Sequence, residues 1–216
     1  MTAVVLVVAK APVAGLAKTR LAASVGDRRA AELAAAALLD TVDSARAVPG
    51  ATVACALTGS LQDAERSGEL TEALRHCVVF PQRGREFAAR LVNAHADVAL
   101  RFPGVPVVQV GMDTPQVSTP MLESALTRLA GADAVLGPAA DGGWWALGLR
   151  DPADAHVLDA VPMSRPDTGA RTLSALRAIS LRVGILPVLS DVDTMDDAVA
   201  VAAQAPGSRF ARVMAR

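Results

Sequence analysis

The sequence predicts a three-layer α/β/α domain with a mostly parallel central sheet and helices on both faces. Three observations carry that expectation. Short apolar runs alternate with longer helical patterns along most of the chain. The runs are rich in β-branched residues and lack polar alternation, as strands covered on both faces do. The segments between them are long enough to be the crossover connections that parallel strands require.

Residues 3–9 (AVVLVVA) form the first such run, and residues 27–47, rich in Ala and Leu, fit a helix ended by Pro49-Gly50. Residues 51–57 (ATVACAL) read as the second strand, 63–74 as a polar helix and 76–80 (HCVVF) as the third strand. A helix over 86–101 closes at Phe102-Pro103-Gly104, and 105–110 (VPVVQV) is the fourth strand. The helix over 119–130 carries Pro120 in its first turn and Gly131 at its end. Residues 132–136 and 144–149 (WWALGL) are further strands, with 168–179 helical, 183–189 extended and 195–204 helical. No repeat or linker divides the chain, so residues 1–205 are expected to be one domain and 206–216 a basic, loosely ordered tail.

With 52% hydrophobic and 20% charged residues, the 216-residue chain suits a packed globule and not a disordered one. Its 21 Lys and Arg balance 22 Asp and Glu, which points to no nucleic-acid or membrane partner. Cys55 and Cys77 match no zinc spacing and read as reduced, buried thiols. The first apolar run is too short to span a membrane and is broken by Lys10 and Pro12. A cytoplasmic protein, monomer or homodimer, is the expectation.

In such sheets ligands bind beyond the carboxyl ends of the strands, so the chemistry belongs in those loops. The first, AKAPVAGLAKTRL, gathers Lys10, Lys18 and Arg20. A strand-to-helix loop offers backbone N–H groups and a positive helix end to phosphates, and Arg adds a forked pair of hydrogen bonds. It is not a P-loop: that motif needs glycine where Pro12 and Ala17 stand, and Pro12 lacks an N–H.

The fourth strand runs into Gly111-Met112-Asp113-Thr114-Pro115, and a second acidic cluster, Asp191-Val192-Asp193-Thr194-Met195-Asp196-Asp197, follows the last extended run. Capping explains Asp196 and Asp197, since Thr194 stands three residues before Asp197. Asp113 and Asp193 are then the metal candidates, with Asp191 the alternative to Asp193. Mg²⁺ (or Mn²⁺) suits such a pair, because it takes one or two carboxylates and completes its shell with water and phosphate oxygens. Between these clusters, Asp141-Gly142-Gly143-Trp144-Trp145 combines an acid, two flexible residues and two rings. A tight turn with core tryptophans explains the same residues, and one Trp is expected in the core either way. His76, His95 and His156 stand beside no nucleophile and read as structural.

Taken together and in order, KAPVAGLAKTRL, PQRG, GMDTP, GPAADGGWWALGL and DVDTMDD resemble the nucleotide-diphospho-sugar transferase superfamily with its GT-A, Rossmann-like fold. The chain looks closest to the bacterial glycosyltransferase-A-like proteins, and its first and last segments are distantly similar to guanylyl- and cytidylyltransferases, phospholactate guanylyltransferase among them. The resemblance implies that Lys10, Lys18 and Arg20 meet the phosphates. Thr58 and Gly59 would border the nucleotide, and Gln82 and Gly84 would read its base edge. Asp113 and Asp193 would hold the metal, and Asp141, Gly142, Gly143 and Trp144 would face the acceptor or sugar. Three features depart from the pattern: Met112 beside the aspartate, a first loop poor in glycine, and Met163-Ser164-Arg165-Pro166-Asp167-Thr168.

The expected activity is Mg²⁺-dependent nucleotidyl transfer from a nucleoside triphosphate to a phosphorylated small acceptor, with release of pyrophosphate. Glycosyl transfer from a nucleotide sugar, with Asp141 as base, is the second expectation, and a non-catalytic nucleotide-binding protein the third.

Overall fold

The computed structural model describes residues 2–216. Its centre is a sheet of seven strands: β1 (Ala3–Lys10), β2 (Ala51–Thr58), β3 (Val78–Pro81), β4 (Val107–Gly111), β5 (Ala134–Pro138), β6 (Trp144–Leu149) and β7 (Val183–Ile185). The spatial order is β3-β2-β1-β4-β6-β5-β7. Only β6 runs against its neighbours β4 and β5; the remaining pairs are parallel. The helices are α1 (Thr19–Val25), α2 (Asp27–Arg46), α3 (Ser67–Leu74), α4 (Phe87–Arg101), α5 (Thr119–Ala130), α6 (Thr168–Ala178), α7 (Met195–Gln204) and α8 (Arg209–Met214), with a 3-10 helix over Pro152–Ala160.

The sequence of β1 explains its central place. Every residue from Ala3 to Ala9 is buried. Val5 and Val7 face one apolar layer with α2, α3 and α5, while Val4, Leu6 and Val8 face the other with α4, the 3-10 helix and α6. That alternation of side-chain direction converts a continuous apolar run into two cores. Small residues let α2 lie close to the sheet: Ala34 and Ala35 sit on β1 and β2 while Leu33, Ala36 and Ala37 face a third cluster with α7 and α8.

The expected architecture is the observed one, and several helices begin and end as their patterns predict. The polar helix starts at Ser67, four residues late, because Arg66 takes a left-handed conformation (φ 56°) and admits the chain to the helix only there. The first loop contains α1, which its glycine and proline content hid. The stretch expected to be a loose tail is instead held down. Phe210 is 1% exposed, and its N–H and that of Arg209 donate to the buried Asp40 carboxylate at 2.8 and 2.9 Å. The basic composition that suggested disorder serves this docking, since Arg209 also pairs with Asp43 at 2.6 Å. Among the described residues no helix is long and apolar enough to cross a membrane.

His95, on α4, is fully buried, and its Nε2 lies 2.9 Å from Gln109 Oε1 on β4. Burial lowers its pKa from 6.5 to about 4, opposed by the Gln109 hydrogen bond. A depressed folded-state pKa contributes stability above the unfolded value that is lost as pH falls through the folded one. The unfolding free energy from urea melts should therefore fall between pH 6.5 and about 4, by up to roughly 3 kcal/mol for this group. His95→Leu should start lower and show a flatter profile across that window.

Candidate active site

The parallel register carries the strand ends to one edge. Lys10 pairs with Thr58, and Val8 pairs with Gly111, so the ends of β1, β2 and β4 lie side by side. Because β6 is reversed, its first residue, Trp144, lies at the same edge, opposite Pro138 of β5. Beyond these ends opens a cleft of about 530 Å³. Of the residues expected in a site, Lys10, Thr58, Gln82, Asp113, Asp141, Gly143 and Trp144 line it.

Lys18 sits at the heart of the arrangement. Its Nζ lies 2.8 Å from Asp113 Oδ1 and donates to the carbonyl of Val192, with the side chain only 10% exposed. The Val192 N–H in turn donates to the Asp113 carbonyl at 2.9 Å. Three distant stretches of chain, the first loop, the GMDTP turn and the late acidic segment, therefore meet at one point. Lys18 is also the left-handed N-cap of α1 (φ 53°, ψ 49°). That conformation costs a residue with a Cβ about 1–2 kcal/mol, which its ion pair and hydrogen bond offset. Strain of this kind concentrates at functional sites.

The two late aspartates part company. Asp191 lines the cleft, whereas Asp193 does not and is engaged by Arg20 Nη1 at 2.5 Å. Val192 is buried between them, so the pair straddles a buried residue without sharing one side, as an extended segment would require. Asp191 is thus the late carboxylate that faces the same space as Asp113. Burial raises its pKa, and the nearby charge of Asp141 adds to this while Lys18 opposes it. Among the described residues no three His, Cys, Asp or Glu side chains cluster tightly enough to hold a metal alone. The donor set is hard oxygen, and two carboxylates with ligand oxygens completing the shell match the habits of Mg²⁺ and Mn²⁺.

The other expected residues divide by what they touch. Both amide hydrogens of Gln82 are spent on the carbonyls of Ala9 (2.8 Å) and Ala56 (2.9 Å), tying β1 to β2. Only its oxygen remains to meet a ligand, so it cannot offer both a donor and an acceptor to a base. Gly59 (φ 86°) and Gly84 (φ 122°) do not line the cleft. A Cβ on Gly84 would lie 3.0 Å from Ala89 Cβ, so this glycine permits the close approach of α4. Lys10 Nζ donates to the Leu16 carbonyl at 2.7 Å, and Arg20 is drawn outward to Asp193. The three cations of the first loop therefore do not converge as free charges.

Asp141 Oδ1 accepts from the Gly143 N–H at 2.8 Å, closing the tip of the β5–β6 hairpin. Gly142 (φ 89°) lies outside the cleft lining and packs on the entry to α6. A Cβ there would meet the Pro166 carbonyl oxygen at 1.9 Å, and Gly169 N–H donates to the Gly142 carbonyl at 2.8 Å. Trp145 is the core ring, 4% exposed and donating to the Pro187 carbonyl, and it lines the cleft beside Trp144. The cleft also holds Arg90, Gln109 and residues from the 163–168 stretch, none of them expected. Gln109 had a signal, as the one polar residue in an otherwise apolar strand; Arg90 had none, being one of several arginines near the start of a helix.

Residues 41–165 match the model of a family described as uncharacterized proteins conserved in bacteria, DUF2064. The chain belongs to the DUF2064 family. No curated protein matches it. A solved protein of Desulfovibrio desulfuricans G20, provisionally named a nucleotide-diphospho-sugar transferase, is 25% identical over 99% of this chain and 94% of its own, with a TM-score of 0.86. Rv0371c of Mycobacterium tuberculosis H37Rv is 22% identical, covering 93% of this chain and 98% of its own at a TM-score of 0.61. That protein has also been solved in complex with manganese. A CMP:2-keto-3-deoxy-manno-octonic acid synthetase complexed with CTP is 15% identical over 94% and 99% of the two chains, with a TM-score of 0.58. The DUF2064 chain has the fold of nucleotide-diphospho-sugar transferases and cytidylyltransferases, in agreement with the resemblance its motifs carry.

Gly142→Ala should destabilise the protein by more than the 1–2 kcal/mol of a left-handed alanine alone. Gly104→Ala isolates the cost of a positive φ, since Gly104 (φ 71°) has nothing within 4 Å of an added Cβ. Urea melts of the two variants should differ, with Gly142→Ala the weaker.

Proposed function

We propose that this protein is a nucleotide-using transferase that moves a nucleotidyl group from a nucleoside triphosphate to an anionic small acceptor, releasing pyrophosphate. The observation that carries the proposal is the meeting of Lys18, Asp113 and the 191–193 segment beside Lys10 at the carboxyl edge of a nucleotide-diphospho-sugar transferase fold. Cation and carboxylate are brought together there from stretches 95 residues or more apart, as positioning a polyphosphate on a metal demands.

In this scheme an acceptor phosphate oxygen attacks the α-phosphorus, the bond to the β-phosphate oxygen breaks, and pyrophosphate departs. The protein's part is orientation and charge neutralisation. Lys10 and Lys18 face the polyphosphate, and Thr58 borders the nucleotide; its Oγ1 is buried without a protein partner. The Oε1 of Gln82 is left to accept from the base edge. Asp113 and Asp191 would hold Mg²⁺ or Mn²⁺, which when bound offsets charge on the phosphate oxygens. Asp193 would act one step back, holding Arg20 and so the start of α1. Lys18 now neutralises Asp113, so the ammonium must share that carboxylate with the ion.

Glycosyl transfer from a nucleotide sugar is the second reading, and Asp141 favours it. Its carboxylate lines the cleft and keeps one oxygen outside the hairpin hydrogen bond, available as a base toward an acceptor hydroxyl.

The discriminating experiment incubates the protein with each nucleoside triphosphate and a panel of phosphorylated acceptors, with pyrophosphate as the readout. Metal-dependent pyrophosphate release is expected; turnover with nucleotide sugars alone would replace the first reading by the second. Lys10→Gln should lower kcat by about 10²-fold, the scale of losing one preorganised charge donor. Asp113→Asn should remove the rise in melting temperature that Mg²⁺ or Mn²⁺ gives in the presence of nucleotide. An unchanged metal response in that variant would count against the site, and Asp193→Asn should retain most of it.

A further inference from the structure

The cleft has two chemically different sides. Asp113, from the turn after β4, and Asp191, from the segment before α7, line one part of it, with Lys18 paired to Asp113. Another part is lined by residues of α4, β4 and the start of β6, and there two buried N–H donors lack protein acceptors. Arg90 is half-buried on α4, with its guanidinium 5.4 Å from the Phe87 ring centroid. Its Nε is buried and unpartnered, it gives one hydrogen bond to the Arg85 carbonyl at 3.1 Å, and it takes part in no ion pair among the described residues. Trp144 Nε1 is likewise buried without a protein acceptor. Both residues line the cleft, as does Gln109.

Gln109 completes the set. Val108 and Val110 face the α2 and α5 layer, so Gln109 faces the α4 side. Its Oε1 is matched to His95 Nε2, which burial keeps neutral. With Nε2–H as donor, the imidazole leaves only an acceptor, Nδ1, unpaired; the other tautomer would strand a buried N–H, which is rarer in proteins. The His95 contact therefore fixes the Gln109 amide with its oxygen inward and its two N–H groups toward the cleft. A stranded buried donor costs free energy that a bound acceptor would recover, and here Arg90 Nε and Trp144 Nε1 are both stranded beside the Gln109 amide, with no carboxylate of the protein paired to Arg90.

We infer that the α4 wall of the cleft, through Arg90, Gln109 and the Trp144 indole, binds the oxyanion of the acceptor, a carboxylate or a phosphate. A guanidinium offers that group two parallel hydrogen bonds, and an amide and an indole N–H add donors without adding a competing acceptor. The apolar faces of Phe87, Trp144 and Met163 leave room for a carbon skeleton beside it. The inference deepens the proposed function by naming what the acceptor carries, and it rests on that reading for the word acceptor; the anion site itself does not.

The test uses the intact protein in EDTA, without nucleotide, so that failure of the nucleotidyl-transfer reading leaves its result unaffected. Inorganic phosphate and acetate are titrated separately at constant ionic strength, with tryptophan fluorescence as readout, since the chain has only two Trp and both line the cleft. A saturable change with one of the two anions is expected, and the stronger anion identifies the group. Arg90→Gln should weaken binding roughly tenfold or more, with folding checked by circular dichroism. Arg101→Gln, which removes one cation from the far end of the same helix, should leave it unchanged. If Arg90→Gln does not fold, Arg90→Lys carries the test: it keeps the charge, loses the fork and should weaken binding severalfold. No saturable response to either anion, equal binding by the Arg90 variant, or an equal loss in Lys10→Gln would overturn the proposal, the last by moving the anion to the first loop.

Discussion

The contact between Lys18 and Asp113 is the constraint from which the rest of the site follows. An ammonium drawn largely out of water needs a charged or hydrogen-bonding partner. Asp113 supplies the charge, and the Val192 carbonyl supplies a second acceptor. Together they hold Lys18 in a left-handed conformation at the start of α1, and that sets where Arg20 points and which carboxylate it takes. The backbone bond from Val192 to Asp113 does the same for the last acidic segment: with Val192 buried, Asp191 is left facing the cleft and Asp193 faces Arg20.

Much of this was legible in the sequence because the signals were local. The continuous β-branched run of β1 announces a strand covered on both faces, and the residues just past strand ends announce where ligands go. Lys10 and Asp113 stand at or just past strand ends and line the cleft, as does Thr58, which the motif resemblance pointed to. What the sequence did not reveal depends on pairings between distant residues. Whether Gln82 reads a base or ties two strands depends on where the Ala9 and Ala56 carbonyls lie. Whether Asp191 or Asp193 faces the cleft depends on the burial of Val192 between them. Sequence alternation would put Asp191 and Asp193 on one side, with Asp193 preferred as the one nearest the loop, but the chain there is irregular.

The same limit applies to the glycines and to the C-terminal segment. The pair Gly142-Gly143 suggested close approach to a ligand, and close approach is what it provides, but for Gly142 the approaching group is the backbone at Pro166 and Gly169. The last residues looked like a tail because they follow Pro206-Gly207 and carry three arginines and no acid. A single phenylalanine and two backbone N–H groups satisfied by Asp40 are enough to dock them.

The reversal of β6 has a consequence for how such a fold can diversify. A parallel strand contributes to the binding edge only where it ends, and its partners fix that point by register. The reversed strand contributes its beginning, reached through a five-residue hairpin tip (139–143), and its far end leads to the 3-10 helix and the 163–168 stretch. One half of the cleft is therefore made of strand termini that cannot change without disturbing the sheet, and the other of exchangeable connectors. Descendants of a common ancestor can alter one substrate by remodelling those connectors while inheriting the opposite half intact.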